Sequence, residues 1–373
     1  MAYEIDFIPV GDPDADGKCR RSGDAIAVRW GNLSGDPKDQ WVMIVDGGFK
    51  SSGEALVEHV RTWYKTSRVD FVVNSHPHDD HIQGLFPVFE NLSVGTLLIH
   101  KPWEHAKAVV DLLGDNRTTY RGSRQRLKES FQAAHDLCEL AAKNEVKIME
   151  PFEGASTADG VLRVLGPSVE LYQQLIAADL SGKEVSDTVQ AESTITATIR
   201  ALAAKVAETW DRDKLGEPAT DAVEPLNHTS TILHLNFGET TALLTGDAGV
   251  VALERAAMYA ESQGIDLTKC TRVQLPHHGS KRNVGPKILN RILGPILPKG
   301  TPATRRGMLS AAIHGEPKHP SARVTNGFLR RGFDTNVARA STICWSSHDA
   351  PDRPRWTTVP TFDFRYEYEE GDV

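Results

Sequence analysis

In the N-terminal quarter of the chain, hydrophobic residues fall in short runs punctuated by Gly, Pro and Asp, the pattern of buried strands. Residues 5–10, 25–30, 41–45, 69–74 and 94–99 read this way. Leu56, Val57, Val60, Trp63 and Tyr64 recur at helical spacing and predict a helix over 54–64. From 101 to 225 the pattern changes. Leu127, Phe131, Ala134, Cys138 and Ala141 make one helix face, and Ile195, Ile199, Leu202, Val206 and Trp210 make another. Residues 161–165 read as a strand stopped by Gly166-Pro167. After 226 the strands return. Runs at 231–237 and 241–245 flank Gly238-Glu239, a hairpin signal. A helix over 250–263, strands over 271–275 and 308–313, and a helix over 324–331 follow. Strands alternating with helices in two runs predict an α/β fold, two sheets packed with helices outside. The chain is expected to be one domain over 1–373, with 101–225 a mostly helical insertion. The acidic tail, 365–373, reads as a frayed end.

Composition narrows the class. The 373 residues carry 42 Lys plus Arg against 50 Asp plus Glu, a formal charge of −8. That balance gives no global basic footprint for nucleic acid, so a phosphate-bearing substrate must be attracted locally. The four cysteines, Cys19, Cys138, Cys270 and Cys344, form no C-x-x-C pair and suggest neither a zinc ribbon nor a disulfide framework. The N-terminus is not a signal peptide and no apolar run reaches membrane-spanning length. A cytoplasmic protein with no membrane association is the expectation.

The chemistry concentrates at Ser75-His76-Pro77-His78-Asp79-Asp80-His81, directly behind the predicted strand 69–74. Imidazoles and a carboxylate at a strand end build a poor core, but they hold divalent metals well. His76 and His78 lie two apart and face one way in extended chain. Asp80 and His81 follow where the chain turns and can face a second ion. Three further pieces also stand at strand ends. Thr245-Gly246-Asp247 offers a carboxylate able to bridge two cations, Asn227-His228 precedes the hairpin, and His277-His278-Gly279-Ser280 ends another strand.

Together, Asp46-Gly47-Gly48, His76-x-His78-x-Asp80-His81, His228, Thr245-Gly246-Asp247 and His277-His278-Gly279 resemble the metallo-β-lactamase superfamily. The resemblance implies an αββα sandwich with a dinuclear site at one edge. It implies that His76, His78 and His228 hold one metal, that Asp80, His81 and His278 hold the other, and that Asp247 bridges. Asp46 would orient a ligand histidine from just outside. Gly23-Asp24-Ala25, Val164-Leu165-Gly166-Pro167, His277-His278-Gly279-Ser280 and His319-Pro320 are similar to the hydrolase domain of DNA-uptake channel proteins of the ComEC type and to phosphorylcholine esterases. His100, His105 and His135 are further candidates, of which His105 and His135 read as structural. Adjacent residues on a strand point to opposite sides, so His277 and His278 cannot both bind one metal there without a bend. His278, before the turn glycine, is favoured as ligand, and His277 is then either a group supporting a ligand from just outside the metals or a proton donor.

Two divalent cations, zinc by ligand chemistry with manganese or iron also suited, would present a bridging hydroxide at neutral pH. Asp80 would help align it, and His277 or His319 would protonate the leaving alkoxide. A phosphodiesterase acting on nucleic acid or a nucleotide is the leading expectation. Local cations support it: Ser280, Lys281 and Arg282 beside the ligand end, and a basic run of Arg117, Arg121, Arg124, Arg126 and Lys128. Lactone, carboxyl-ester or thioester hydrolysis would use the same metals. A third reading is a metal-stabilised module of a multi-protein complex, docked through the helical insertion.

Overall fold

The computed structural model describes residues 1–13, 16–114, 120–189, 205–219, 221–315 and 319–369. Seven strands form the first sheet, in the order Ile343–Ser346, Ala2–Phe7, Ala25–Gly31, Gln40–Gly47, Arg68–Val73, Ser93–Leu98, Lys147–Met149. The first four pair antiparallel and the rest parallel. Six strands form the second, in the order Phe333–Ala338, Arg305–Ser310, Arg272–Gln274, Thr241–Leu244, Ile232–Asn236, Leu162–Gly166.

Side-chain alternation explains the layering. Ile26, Val28, Trp30, Met43 and Val45 join Leu233, Leu235, Leu244 and Met308 in the layer between the sheets. Their neighbours Ala25, Ala27, Val42 and Ile44 face the other way, onto the Lys50–Trp63, Leu85–Asn91 and Gln132–Lys143 helices. On the second sheet Leu243, Val273 and Leu309 face the Val250–Ser262, Pro286–Leu293 and Ala322–Leu329 helices. The result is the αββα sandwich.

Residues 101–225 are threaded into this frame. The predicted face of Leu127, Phe131, Ala134, Cys138 and Ala141 is buried as one unit. It comes from two helices, Tyr120–Ser130 and Gln132–Lys143, that meet at Phe131. The same segment supplies an edge strand to each sheet, Lys147–Met149 and Leu162–Gly166. The predicted second face fares differently. Ile195, Ile199 and Leu202 lie outside the described residues. Val206 sits in a strand, Lys205–Ala207, that pairs antiparallel with Glu367–Glu369. The tail is therefore not frayed through 369. Tyr368 is buried, and its hydroxyl donates to Glu208 Oε2 at 2.6 Å. Alternating charge and aromatic residues there read as solvated, but one aromatic finds a buried carboxylate. No helix among the described residues is long and apolar enough to cross a membrane.

Candidate metal centre

The site gathers where strands of both sheets end. Strand Arg68–Val73 stops because its next residues turn their polar groups inward. Asn74 Nδ2 donates to the His76 carbonyl at 2.9 Å, and the Ser75 amide donates to Asp46 Oδ1 at 2.7 Å. His78 then precedes a single helical turn, Asp79–Ile82, which carries Asp80 and His81. Asp247 arrives after Thr241–Leu244 through Gly246, whose φ of +50° favours glycine. Its amide donates to Ser230 Oγ at 3.1 Å.

Four imidazoles point Nε2 at Asp247. His81 and His277 reach Oδ2 at 3.4 and 3.5 Å, His76 reaches Oδ2 at 3.8 Å, and His278 reaches Oδ1 at 3.8 Å. In each ring Nδ1 is already engaged, which fixes the tautomer. His81 Nδ1 donates to Asp46 Oδ2 at 2.8 Å. Ser75 Oγ donates to Asp46 at 2.5 Å, so its oxygen accepts from His76 Nδ1 at 3.0 Å. His278 Nδ1 donates to the Ser310 carbonyl at 3.1 Å. The Asn283 amide donates to the Asp247 carbonyl at 2.8 Å, which turns its Oδ1 to accept from His277 Nδ1 at 3.0 Å. With Nδ1 engaged, Nε2 is the nitrogen each ring has left to offer a metal ion.

These residues fit a pair of divalent cations. His81 Nε2, His278 Nε2 and Asp247 Oδ1 are buried with no hydrogen-bond partner. Such groups are costly unless something occupies their lone pairs. Ligand atoms lie within 4.8 Å of one another in three overlapping groups: His76, His81 and Asp247; Asp80, His81 and His278; Asp247, His277 and His278. His78 turns Nδ1 toward His76 Nε2 at 3.1 Å. Bonds of about 2.0–2.1 Å in a tetrahedron put ligand nitrogens about 3.3 Å apart, so this spacing suits two rings sharing one metal ion.

The electrostatics follow from burial and neighbours. Burial and the adjacent imidazoles push His76 well below the ordinary histidine range. Burial opposes charge on His81, but Asp247 and Asp46 outweigh it and raise its pKa. Burial likewise opposes charge on Asp247, and His277, His81 and His278 outweigh it, holding that carboxyl well below the usual range. Burial lowers His278 to about 3.

The expected positions separate into those that converge and those that do not. His277 and His278 are not on a strand. Both take left-handed backbone, with φ of +48° and +56°, in a turn after Pro276. That bend is why two adjacent rings reach the same carboxylate, which strand geometry forbids. His228 is buried with Nδ1 unpartnered, and burial lowers it to about 4, yet it joins none of the close groups. His319 is buried beside the pair, its ring centroid 6.0 Å from that of His277 and 6.2 Å from that of His278. Burial lowers it to about 4. Ser280 is buried, and its hydroxyl accepts from the Arg282 amide at 3.2 Å, the work of a turn residue. Arg282 is exposed and Lys281 half-buried beside it. Within the basic run Arg124 pairs with Glu104 at 2.7 Å, and Arg117 lies outside the described residues. His100 packs in the helical layer against Phe152 and Tyr172, with His105 on the same two rings, and His135 packs against Trp103.

Three supports escaped the sequence reading as site residues. Asp24 accepts from Gln274 Nε2 at 2.8 Å and lies 3.8 Å from His278 Nδ1. Burial, together with Asp247, Asp46 and Asp80, raises its pKa. Asn283 and Ser75 set ring orientations as above. Asp24 stands in the quoted Gly23-Asp24-Ala25 motif, which was its one available signal.

An αββα sandwich with a His- and Asp-lined centre at the strand ends is the architecture of a metal-dependent hydrolase class. The family model of the metallo-beta-lactamase superfamily matches residues 37–292, and the chain belongs to that superfamily, which is largely hydrolytic. No curated protein matches it in sequence. Among solved structures it is similar to a diphosphatase from the PhnP family, at 11% identity over 93% of this chain and 98% of that one, with a TM-score of 0.38. It is similar to a long-form RNase Z from yeast at 8% identity, over 92% of this chain and 42% of that one, with a TM-score of 0.36. It is also similar to the DIM-1 metallo-beta-lactamase at 11% identity, over 75% and 92%, with a TM-score of 0.30.

Proposed function

We propose that the protein is a dinuclear metal-dependent phosphodiesterase acting on a nucleotide or a short nucleic acid strand. The observation that carries the hydrolase reading is the convergence of four tautomer-fixed imidazoles on Asp247, with Asp80 alongside. His76, His78 and His277 would hold one cation, and Asp80, His81 and His278 the other, with Asp247 shared between them. In this assignment His277 takes the place first given to His228, because His277 faces Asp247 and His228 does not join the cluster. Two cations held there supply Lewis acidity toward a phosphoryl oxygen and acidify water near neutral pH.

The chain's own residues do the positioning. Asp46 holds His81 directly and His76 through Ser75, so neither ring can rotate away. With His277 Nδ1 committed to Asn283, His277 is a holding group and not the proton donor. His319, buried beside His277 with Nδ1 unpartnered, is the group placed to hydrogen-bond a substrate oxygen. Arg282 and Lys281 supply local positive charge next to it, which favours a phosphodiester over a neutral lactone. The net charge of −8 suits a small or short substrate over a long duplex. Within the superfamily, Gly23-Asp24, His277-His278-Gly279-Ser280 and His319-Pro320 support kinship with the ComEC-type and phosphorylcholine-esterase group. Residues 101–225 are then an elaboration of one catalytic domain.

A substrate panel tests this. Protein loaded with Zn²⁺ or Mn²⁺ should hydrolyse bis-p-nitrophenyl phosphate or short single-stranded nucleic acid, and Asp80→Ala should lower the rate at least about a hundredfold. Turnover confined to lactones or thioesters would overturn the substrate assignment and leave the metal centre standing.

A further inference from the structure

Away from the histidine end, the two sheets part along one edge and leave a cavity of about 310 Å³. None of the residues around Asp247 lines it. Its floor is the inner face of the first sheet, Trp41, Phe71, Leu98 and Met149, and its opposite wall is Leu162 and Val164 of the second. Trp41 and Phe71 stack at 5.8 Å with planes 20° apart, and Trp30 stacks on Trp41 at 6.3 Å. This ladder offers a flat apolar surface. Trp41 is nevertheless 43% exposed and Met149 39% exposed, large apolar side chains left open to water around a concavity.

The lip is preformed. Thr157 N donates to the Leu162 carbonyl at 3.0 Å, and Val164 N donates to the Ala155 carbonyl at 2.8 Å. Asp159 accepts from Trp30 Nε1 at 3.0 Å, from Thr157 Oγ1 at 2.5 Å and from the Val161 amide at 3.0 Å. Its oxygens are taken up by these three neutral donors, which hold it ionised within the lip. Lys147 also lines the cavity, exposed, and among the described residues it has no ion pair. A cavity near the lower size bound of small-molecule pockets, roughly 300 Å³, with apolar walls, one cation and a carboxylate whose oxygens are already bonded, has a definite complement.

We propose that this edge cavity binds a flat aromatic molecule bearing an anionic group, with the ring on the Trp41–Phe71 face and the anion at Lys147. The site is separate from the metal centre and the proposal does not rest on the hydrolase reading. Preorganised walls keep the ordering cost of binding low.

Calorimetric titration with 2-naphthoate and with neutral 2-naphthamide tests it. Both should bind with one-to-one stoichiometry and quench tryptophan fluorescence, the acid more tightly. Lys147→Met, at an exposed position, should weaken the acid by about fivefold and leave the amide unchanged. Thr96→Phe, which fills the cavity from the strand beside Lys147, should abolish both. Phosphodiester hydrolysis should be unaffected by either substitution. No saturable binding, or binding that survives Thr96→Phe with the fold intact by circular dichroism, overturns the proposal. So does loss of affinity for acid and amide alike in Lys147→Met.

Discussion

Asp46 is one carboxylate that fixes two imidazoles, and its backbone takes φ of +56°, a region Asp and Asn enter more easily than other side chains. Asp46→Asn keeps that backbone and removes the charge. It should weaken metal affinity about 10–100-fold in a chelator competition, while the thermal unfolding of metal-free protein changes little. Unchanged affinity would show that His81 and His76 are oriented without it. A second residue reports chiefly on burial, with the His105 imidazole beside it acting in the same direction. His100 is held at about 3 by desolvation, well below the ordinary histidine pKa of about 6.5. Between those values the unfolded chain binds the extra proton, so stability is full above about pH 6.5 and falls as the pH drops toward 3. His100→Phe should remove that slope. In urea unfolding of metal-free protein, the wild type should lose about 2 kcal/mol more than the variant between pH 7 and pH 5. At this scale the sequence was informative where chemistry is written in residue type, as in His76 to His81 and Asp247. It was uninformative where a backbone bend decides. Nothing in the letters His277-His278 announces two consecutive left-handed residues, and that bend is what lets both rings meet Asp247.

At the scale of elements, three glycines dock the first helices against the site. A Cβ on Gly84 would fall inside the radius of the Gly47 carbonyl oxygen, and one on Gly53 would strike the Gly84 carbonyl oxygen. The Leu85–Asn91 helix can therefore sit flush behind Asp46-Gly47, with the Gly84 amide donating to the Gly48 carbonyl at 2.8 Å. Gly84→Ala should destabilise the protein by about 1–3 kcal/mol and also reduce metal occupancy, since the shift passes to Asp46. Denaturant midpoint and metal content measured on the same sample check this; a stability loss with full occupancy would separate the packing from the site. Most central strands were legible because their apolar runs are bounded by turn residues. Phe333–Ala338 and Ile343–Ser346 were missed. The first carries Asp334, Thr335 and Asn336, and the second is four residues paired to the N-terminal strand across the whole chain. The Pro286–Leu293 helix also escaped, because Gly285-Pro286 and Gly294-Pro295 on either side read as turns.

Over the whole molecule, the C-terminal arm is fastened by charge buried beneath the first sheet's edge. Glu4 and Asp6 are fully buried on the N-terminal strand. Arg353 donates to Asp6 Oδ1 at 2.6 Å and to Glu4 Oε2 at 2.5 Å, while Arg29 Nε donates to Glu4 at 2.5 Å and the Tyr64 hydroxyl to Asp6 at 2.6 Å. Arg353 also stacks on Trp356, 4.5 Å from the ring centroid. Arg353→Met leaves the acids short of a partner and should cost about 3–5 kcal/mol in chemical denaturation. Restoration of part of that loss by adding Asp6→Asn would locate the cost in the uncompensated acid. No sequence pattern joins residues 347 apart, so this strap could not be read before the fold. The metal centre tests the account most directly. Anomalous diffraction from zinc-loaded crystals should show two ions flanking Asp247, one against His76, His78 and His277 and the other against Asp80, His81 and His278. A single ion, or a pair in which His228 replaces His277, would contradict it.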